Sequence, residues 1–162
     1  MRVGMRGVGA IIVLALLTEG GATATEGARL ATPAARQAVE ARKALFTLLS
    51  DNFKGLGEIS KGAAPFDANE VQRRGLHVAT LAEWAGEAFP DQSNIGEPDS
   101  KARPEIWRDR ADFDRKLKDF QSHAAALRQV AASAQGLGED LRQAVAVVAQ
   151  DCKSCHDSFR LK

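Results

Sequence analysis

Methionine occurs only at Met1 and Met5, so nowhere else does the chain offer a thioether ligand. Cysteine is as scarce: Cys152 and Cys155 are the only two among the 162 residues, allowing at most one disulfide. Neither sign of charge dominates, with 22 Lys and Arg against 21 Asp and Glu. That balance argues against nucleic acid or an anionic membrane surface as partner, and gives no strong field for steering a redox protein. No stretch reads as a strand. The apolar run Val8–Leu17 reaches about half of the roughly 20 residues a membrane-spanning helix needs. Arg2 and Arg6 precede that run and Ala22-Thr23-Ala24 follows it, the order of a secretory signal: basic start, apolar middle, small-residue cleavage site. Residues 1–24 are therefore expected to be a cleaved signal peptide and 25–162 one globular domain, exported and without a membrane segment; an uncleaved anchor is the alternative. Cleavage near Ala24 removes both methionines.

What is present is helical periodicity. Thr32-Pro33 supplies a hydroxyl N-cap and a proline at the first helical position. Ala38, Ala41, Leu45, Leu48, Leu49, Asn52, Leu56 and Ile59 then recur at steps of three and four until Gly62 and Pro65. Asp67, with Glu70 three residues on, reads as a capping box opening a second helix to about Phe89, with Val71, Val78, Leu81 and Trp84 inward. Pro90 to Arg103 is the longest loop. A third helix begins near Lys101–Pro104 and carries an a/d seam of Ile106, Phe113, Leu117, Phe120, Ala124, Leu127 and Ala131, ended by Gly136 and Gly138. Arg108 to Lys118 reads as its solvated face. A fourth helix aligns Leu141, Val145, Val148, Cys152, Cys155 and Phe159. Four helices joined by mostly short connections predict an all-α, antiparallel up-down-up-down four-helix bundle.

Cys152-Lys153-Ser154-Cys155-His156 is a C-x-x-C-H sequence. Two thiols at this spacing add to the two vinyl groups of a haem, and the adjacent His ligates its iron. One covalently bound haem c, buried at one end of the bundle with His156 as metal ligand, is the leading reading. Thiol redox, a disulfide and a zinc site are the alternatives: the first lacks the strand that normally precedes a redox C-x-x-C, and the last lacks a fourth ligand at recognisable spacing from His77 or His123.

Ala41-Arg42-Lys43-Ala44-Leu45-Phe46, Lys61-Gly62-Ala63-Ala64-Pro65-Phe66-Asp67, Ala88-Phe89-Pro90, Pro104-Glu105-Ile106-Trp107 and the terminal CKSCHDSFR, in this order, resemble the cytochrome c′ family, the class II c-type cytochromes. The resemblance spans essentially the whole mature chain and implies a periplasmic location. It implies thioether bonds from Cys152 and Cys155, iron ligation by His156, a haem propionate met by Arg42, and Arg160 close to the proximal haem face. For Arg42 a helix-surface ion pair is the alternative, and for Arg160 a solvated C-terminal cation. At Phe46 the six-coordinate branch of the family has a ligating Met. Phe offers no lone pair, so Phe46 is expected to cap the distal face, as a core aromatic that is also a steric gate, leaving iron five-coordinate. His77 and His123 read as partly exposed polar residues rather than a sixth ligand; Lys ligation would need a deprotonated amine.

An apolar distal side without donors favours nitric oxide and CO over O₂, which gains from a hydrogen-bond donor. Reversible binding of these diatomic gases, with a capacity for electron transfer, is the expected function. A dedicated periplasmic electron carrier, its redox partner unidentified, is the alternative. Catalysis is not expected, because no distal His–Arg pair accompanies Phe46. Trp84 and Trp107 are expected to pack in the core or on the haem. Family members often pair through their first two helices, and Leu48, Leu56 and Val78 are candidates for such a homodimer patch.

Overall fold

Thr32 turns the chain into its first helix as the sequence predicts: its backbone is extended, its Oγ1 accepts the Ala35 N–H at 3.1 Å, and Pro33 follows at the first helical position. The computed structural model describes residues 31–162, so the expected signal peptide and its cleavage site lie outside the described residues. Helix α1 (Pro33–Ser60) ends where Gly62 takes a left-handed φ of 72° that only glycine adopts readily, letting the Ala63 N–H reach back to the Glu58 carbonyl at 2.9 Å. Helix α2 (Ala68–Trp84) is capped by Asp67, whose Oδ1 accepts the Glu70 N–H at 2.8 Å. The Glu70 carboxylate bonds Arg73 and Arg74, one turn on. The last turn before Pro90, Ala85–Ala88, tightens into a 3₁₀ helix.

The expected third helix is two. A short α3 (Glu105–Arg108) stops at Asp109, whose backbone leaves helical geometry (φ −113°, ψ 56°) and whose side chain accepts the Asp112 N–H to start α4 (Arg110–Ser133). Aspartate competes in this way with the helix's own hydrogen bonds, which periodicity cannot register. The predicted seam nevertheless holds: Ile106, Phe113, Phe120, Ala124, Leu127 and Ala131 are buried and Leu117 partly so. Its opposite face is solvated and laced by Arg110–Asp114 and Arg115–Asp119 pairs, as expected. Helix α5 (Glu139–Phe159) buries Leu141, Val145, Val148 and Phe159.

The four long helices form the predicted bundle. Neighbouring pairs α1–α2, α2–α4 and α4–α5 pack extensively, and α1–α5, which closes the ring, packs least. No described helix is long and apolar enough to cross a membrane. Two inward assignments and the dimer patch need correction. Ala41 is exposed, and its neighbour Arg42, only 5% exposed, takes the inner position. Trp84 is 59% exposed, because Val78, Ala82 and Ala85 occupy the inner face of the turns around it and Trp84 points away from that face. Leu56 and Val78 lie inside the bundle, so only Leu48 of the candidate dimer patch reaches the surface.

Gly75 sits where α2 crosses α4: a Cβ added there would lie 2.6 Å from that of Ala131. Gly75→Ala is expected to lower stability, because an overpacking cost of about 1–3 kcal/mol exceeds the roughly 1 kcal/mol gained in helix propensity. Gly57 has open space at the same atom, and Gly57→Ala should stabilise by about 0.5–1 kcal/mol. Thermal unfolding of the two variants should move in opposite directions; a stabilised Gly75→Ala would contradict the close crossing.

Candidate haem site

Cys152 and Cys155 lie in the penultimate turns of α5, half-buried and unpaired, and they straddle two clusters. Cys152 packs against the main core with Phe46; Cys155 packs with Phe89 and Trp107 against the smaller cluster of Ile106, Phe113 and Phe159. Burial, then Asp151, then the other thiol push Cys152 up to about 11. Burial also raises Cys155, opposed by Lys116 and helped by Asp112. A redox C-x-x-C has its thiol lowered, usually at a helix N-terminus. This pair has the reverse position and the reverse shift. In haem-free protein that keeps its helical circular dichroism, Cys152 should alkylate far more slowly than a free thiol at pH 8, with the rate still climbing towards pH 11. Free-thiol rates at pH 8 would contradict the burial.

His156 follows on the exposed side of the last turn of α5. Partial burial lowers its pKa, Arg160 adds repulsion, and Asp157 opposes both. The balance favours the neutral imidazole, the form that binds metals. Lys116 reaches from α4 to donate to Ser154 Oγ, between the cysteines, at 2.7 Å. The Arg160 side chain is solvent-exposed, while its backbone pairs with Ala102 across the loop. Among the described residues no three His, Cys, Asp or Glu side chains converge as a metal cluster, which leaves the zinc alternative without a ligand set.

Across the loosest seam, α1 presents Arg42 and, one turn later, Phe46. Arg42 is not the surface ion pair that was its alternative. Its guanidinium is buried and donates to Ala88 O at 3.2 Å, Ser93 Oγ at 2.8 Å, Ser93 O at 3.4 Å and Ser100 Oγ at 2.7 Å. It also lies 4.9 Å from the centre of the Phe89 ring and 5.9 Å from that of Trp107. All these partners are neutral, and among the described residues no carboxylate pairs with it; burial pushes its pKa down. Phe46 is half-buried, with its ring 5.8 Å from that of Phe89. His77 and His123 are committed elsewhere, to Asn52 Oδ1 at 3.0 Å and Asp151 Oδ2 at 2.8 Å.

The residues fit a haem. Two unpaired thiols three positions apart precede an imidazole, apolar and aromatic side chains surround them, and a buried cation lacks an anion. Sequence reading missed Ser93 and Ser100, which looked like turn formers, and Lys116, which looked like part of a solvated face. The only signal for the serines was a buried Arg needing acceptors from a distant loop.

Known proteins match this arrangement. The sequence profile of the family described as Cytochrome C′ covers residues 37–160. The cytochrome c′ of Alcaligenes xylosoxydans xylosoxydans is 35% identical over 124 residues, 76% of this chain and 93% of its own. Cytochrome c-556 of Agrobacterium tumefaciens is 34% identical over 125 residues, 76% of this chain and 94% of its own. Cytochrome c prime from Shewanella frigidimarina superposes with a TM-score of 0.73 at 38% identity, covering 79% of this chain and 97% of its own. A nitric oxide complex of a cytochrome c prime variant from Alcaligenes xylosoxidans superposes at 0.71 and 34% identity, covering 79% and 97%. With the C-x-x-C-H on its last helix and this bundle around it, the chain belongs to the cytochrome c′ family and carries one covalently bound haem c.

Proposed function

We propose that the protein is a periplasmic, five-coordinate haem protein that binds nitric oxide, and CO, reversibly. The haem, when bound, would supply an iron able to take a diatomic gas and to cycle between two oxidation states. The observation that carries the reading is Phe46, set one helical turn from Arg42 and against Phe89. Two aromatic rings facing an iron would offer it no lone pair, would offer no donor to a ligand that needs one, and would leave little room for water. His156, whose surroundings favour the neutral imidazole, would hold the iron, Cys152 and Cys155 would fix the macrocycle, and Arg42 would neutralise a propionate. Arg160 lies close enough to His156 to depress its pKa, which supports a place near the proximal face.

Two further points support this reading. The structures of an Alcaligenes xylosoxidans relative include a ferrous variant with bound NO. All four Arg42 Nη hydrogens are already bonded, so Arg42 is not free to move protons beside Phe46, which supports a binding role. Both cysteines are only half-buried, so a haem attached there would keep an edge within reach of solvent, which suits electron transfer as an accompanying capacity.

The test is an absorption spectrum of the exported protein, oxidised, reduced, and reduced with NO. Broad high-spin bands that shift with NO are expected. Sharp low-spin bands that ignore NO would mean a sixth ligand and would hand the function to dedicated electron transfer.

A further inference from the structure

We propose that Trp107 donates its indole N–H to the haem propionate that Arg42 holds, so that donors from two elements fix one carboxylate. The inference rests on the haem site proposed above. Its starting observation is Trp107 Nε1, which is buried and has no hydrogen-bond partner, the sole such side-chain atom among the described residues. A buried indole N–H usually finds an acceptor, because leaving it unpaired forfeits its hydration without return.

Among the described residues no acceptor meets this N–H, and none supplies an anion to the same pocket. Arg42 Nη1 and Nη2 each donate twice to loop carbonyls and serine hydroxyls. The Nε–H is the guanidinium donor left without a partner among the described residues. The Arg42 guanidinium carbon lies 5.9 Å from the centre of the Trp107 ring. With hydrogen bonds of about 2.9 Å, one carboxylate placed beside both groups can accept from each.

The chemistry of the missing partner follows from its neighbours. It must be anionic, because a buried guanidinium surrounded by neutral partners is otherwise uncompensated. It must also arrive attached to something apolar and flat, because Phe89, Phe113 and Trp107 line the same cluster as Cys155. A haem propionate meets both demands. Trp107 is thus a positioning residue: it sets which way the haem lies and helps keep that propionate ionised.

The test uses the holoprotein. Trp84→Phe removes the exposed tryptophan, leaving Trp107 as the sole indole, and ultraviolet resonance Raman then reads its hydrogen bond without altering the core. A bonded indole is expected; a free N–H overturns the proposal. Trp107→Phe, which keeps the ring and loses the donor, should shift the haem propionate bending band. It should also move the propionate inflection in the pH profile of the reduction potential upward by about one unit, since a donor to the charged form favours that form. A bonded indole with unchanged propionate signals in Trp107→Phe would make water the partner and equally overturn the proposal. Arg42→Lys separates the two levels. If it shifts the propionate band while Trp107→Phe does not, only the tryptophan role fails; if neither does, the propionate assignment of Arg42 fails with it.

Discussion

Phe46→Met is expected to convert the iron from high-spin to low-spin and to weaken NO and CO binding by about 100-fold. Phe46 lies four residues beyond Arg42, so the two share a face of α1, and its ring is half-buried against the main core that Cys152 also touches. A Met at that place has three flexible torsions and a soft sulfur, and thioether ligation is the usual second axial bond of electron-carrying c-type haems. A thioether occupying the iron about 99% of the time leaves only the remaining hundredth competent to bind gas, which sets the size of the effect. The swap itself conserves volume well enough to cost less than about 1.5 kcal/mol in stability. Absorption spectra and stopped-flow CO binding check the result. An unchanged high-spin spectrum with unchanged CO affinity would mean that Phe46 does not face the iron.

His156→Ala should remove the native haem spectrum altogether while leaving the haem attached. Attachment depends on Cys152 and Cys155, whose side chains turn inward, whereas the imidazole occupies the exposed side of the last turn. If His156 is the iron's sole protein ligand, as proposed, its loss leaves room for a small substitute. Added imidazole is therefore expected to restore a ligated spectrum in His156→Ala. Denaturing gels stained for covalent haem should show the variant loaded like the parent, and a Cys152→Ala, Cys155→Ala double variant empty. A native spectrum in His156→Ala without added imidazole would overturn the ligand assignment.

The bundle was legible because its cause is periodic. The α4 seam from Phe113 to Ala131 and the α5 stripe from Leu141 to Phe159 follow a repeat that packing enforces. The C-x-x-C-H was legible because its chemistry demands adjacent residues. Features set by single side chains against distant backbone were not. Asp109 breaks a helix by capping it from inside, and Trp84 falls outside the core because Val78, Ala82 and Ala85 hold the inner face. Arg42 showed its position on α1, but not that its acceptors would come from Ser93 and Ser100 in a loop that carries no repeat. Exposure of a dimer patch was misjudged for the same reason: Leu56 and Val78 look alike in sequence whether they face solvent or a neighbouring helix.

The end of the chain is held rather than frayed. Arg103 N–H bonds the Phe159 carbonyl at 3.0 Å, Leu161 N–H bonds that of Lys101 at 2.8 Å, and between them Ala102 donates to Ser100 Oγ, which also accepts from Arg42. Chain ends usually loosen first. Here the strap beyond His156 runs by way of one serine hydroxyl to the Arg42 guanidinium on α1, so the end of α5 and the first helix are mechanically geared to each other. Amide hydrogen exchange at Leu161 and Arg103 should quicken together with that at Ser100 when Ser100 is replaced by Ala. Two backbone bonds therefore work as a leash on the segment that follows His156, tying it to the loop whose Ser100 also anchors Arg42.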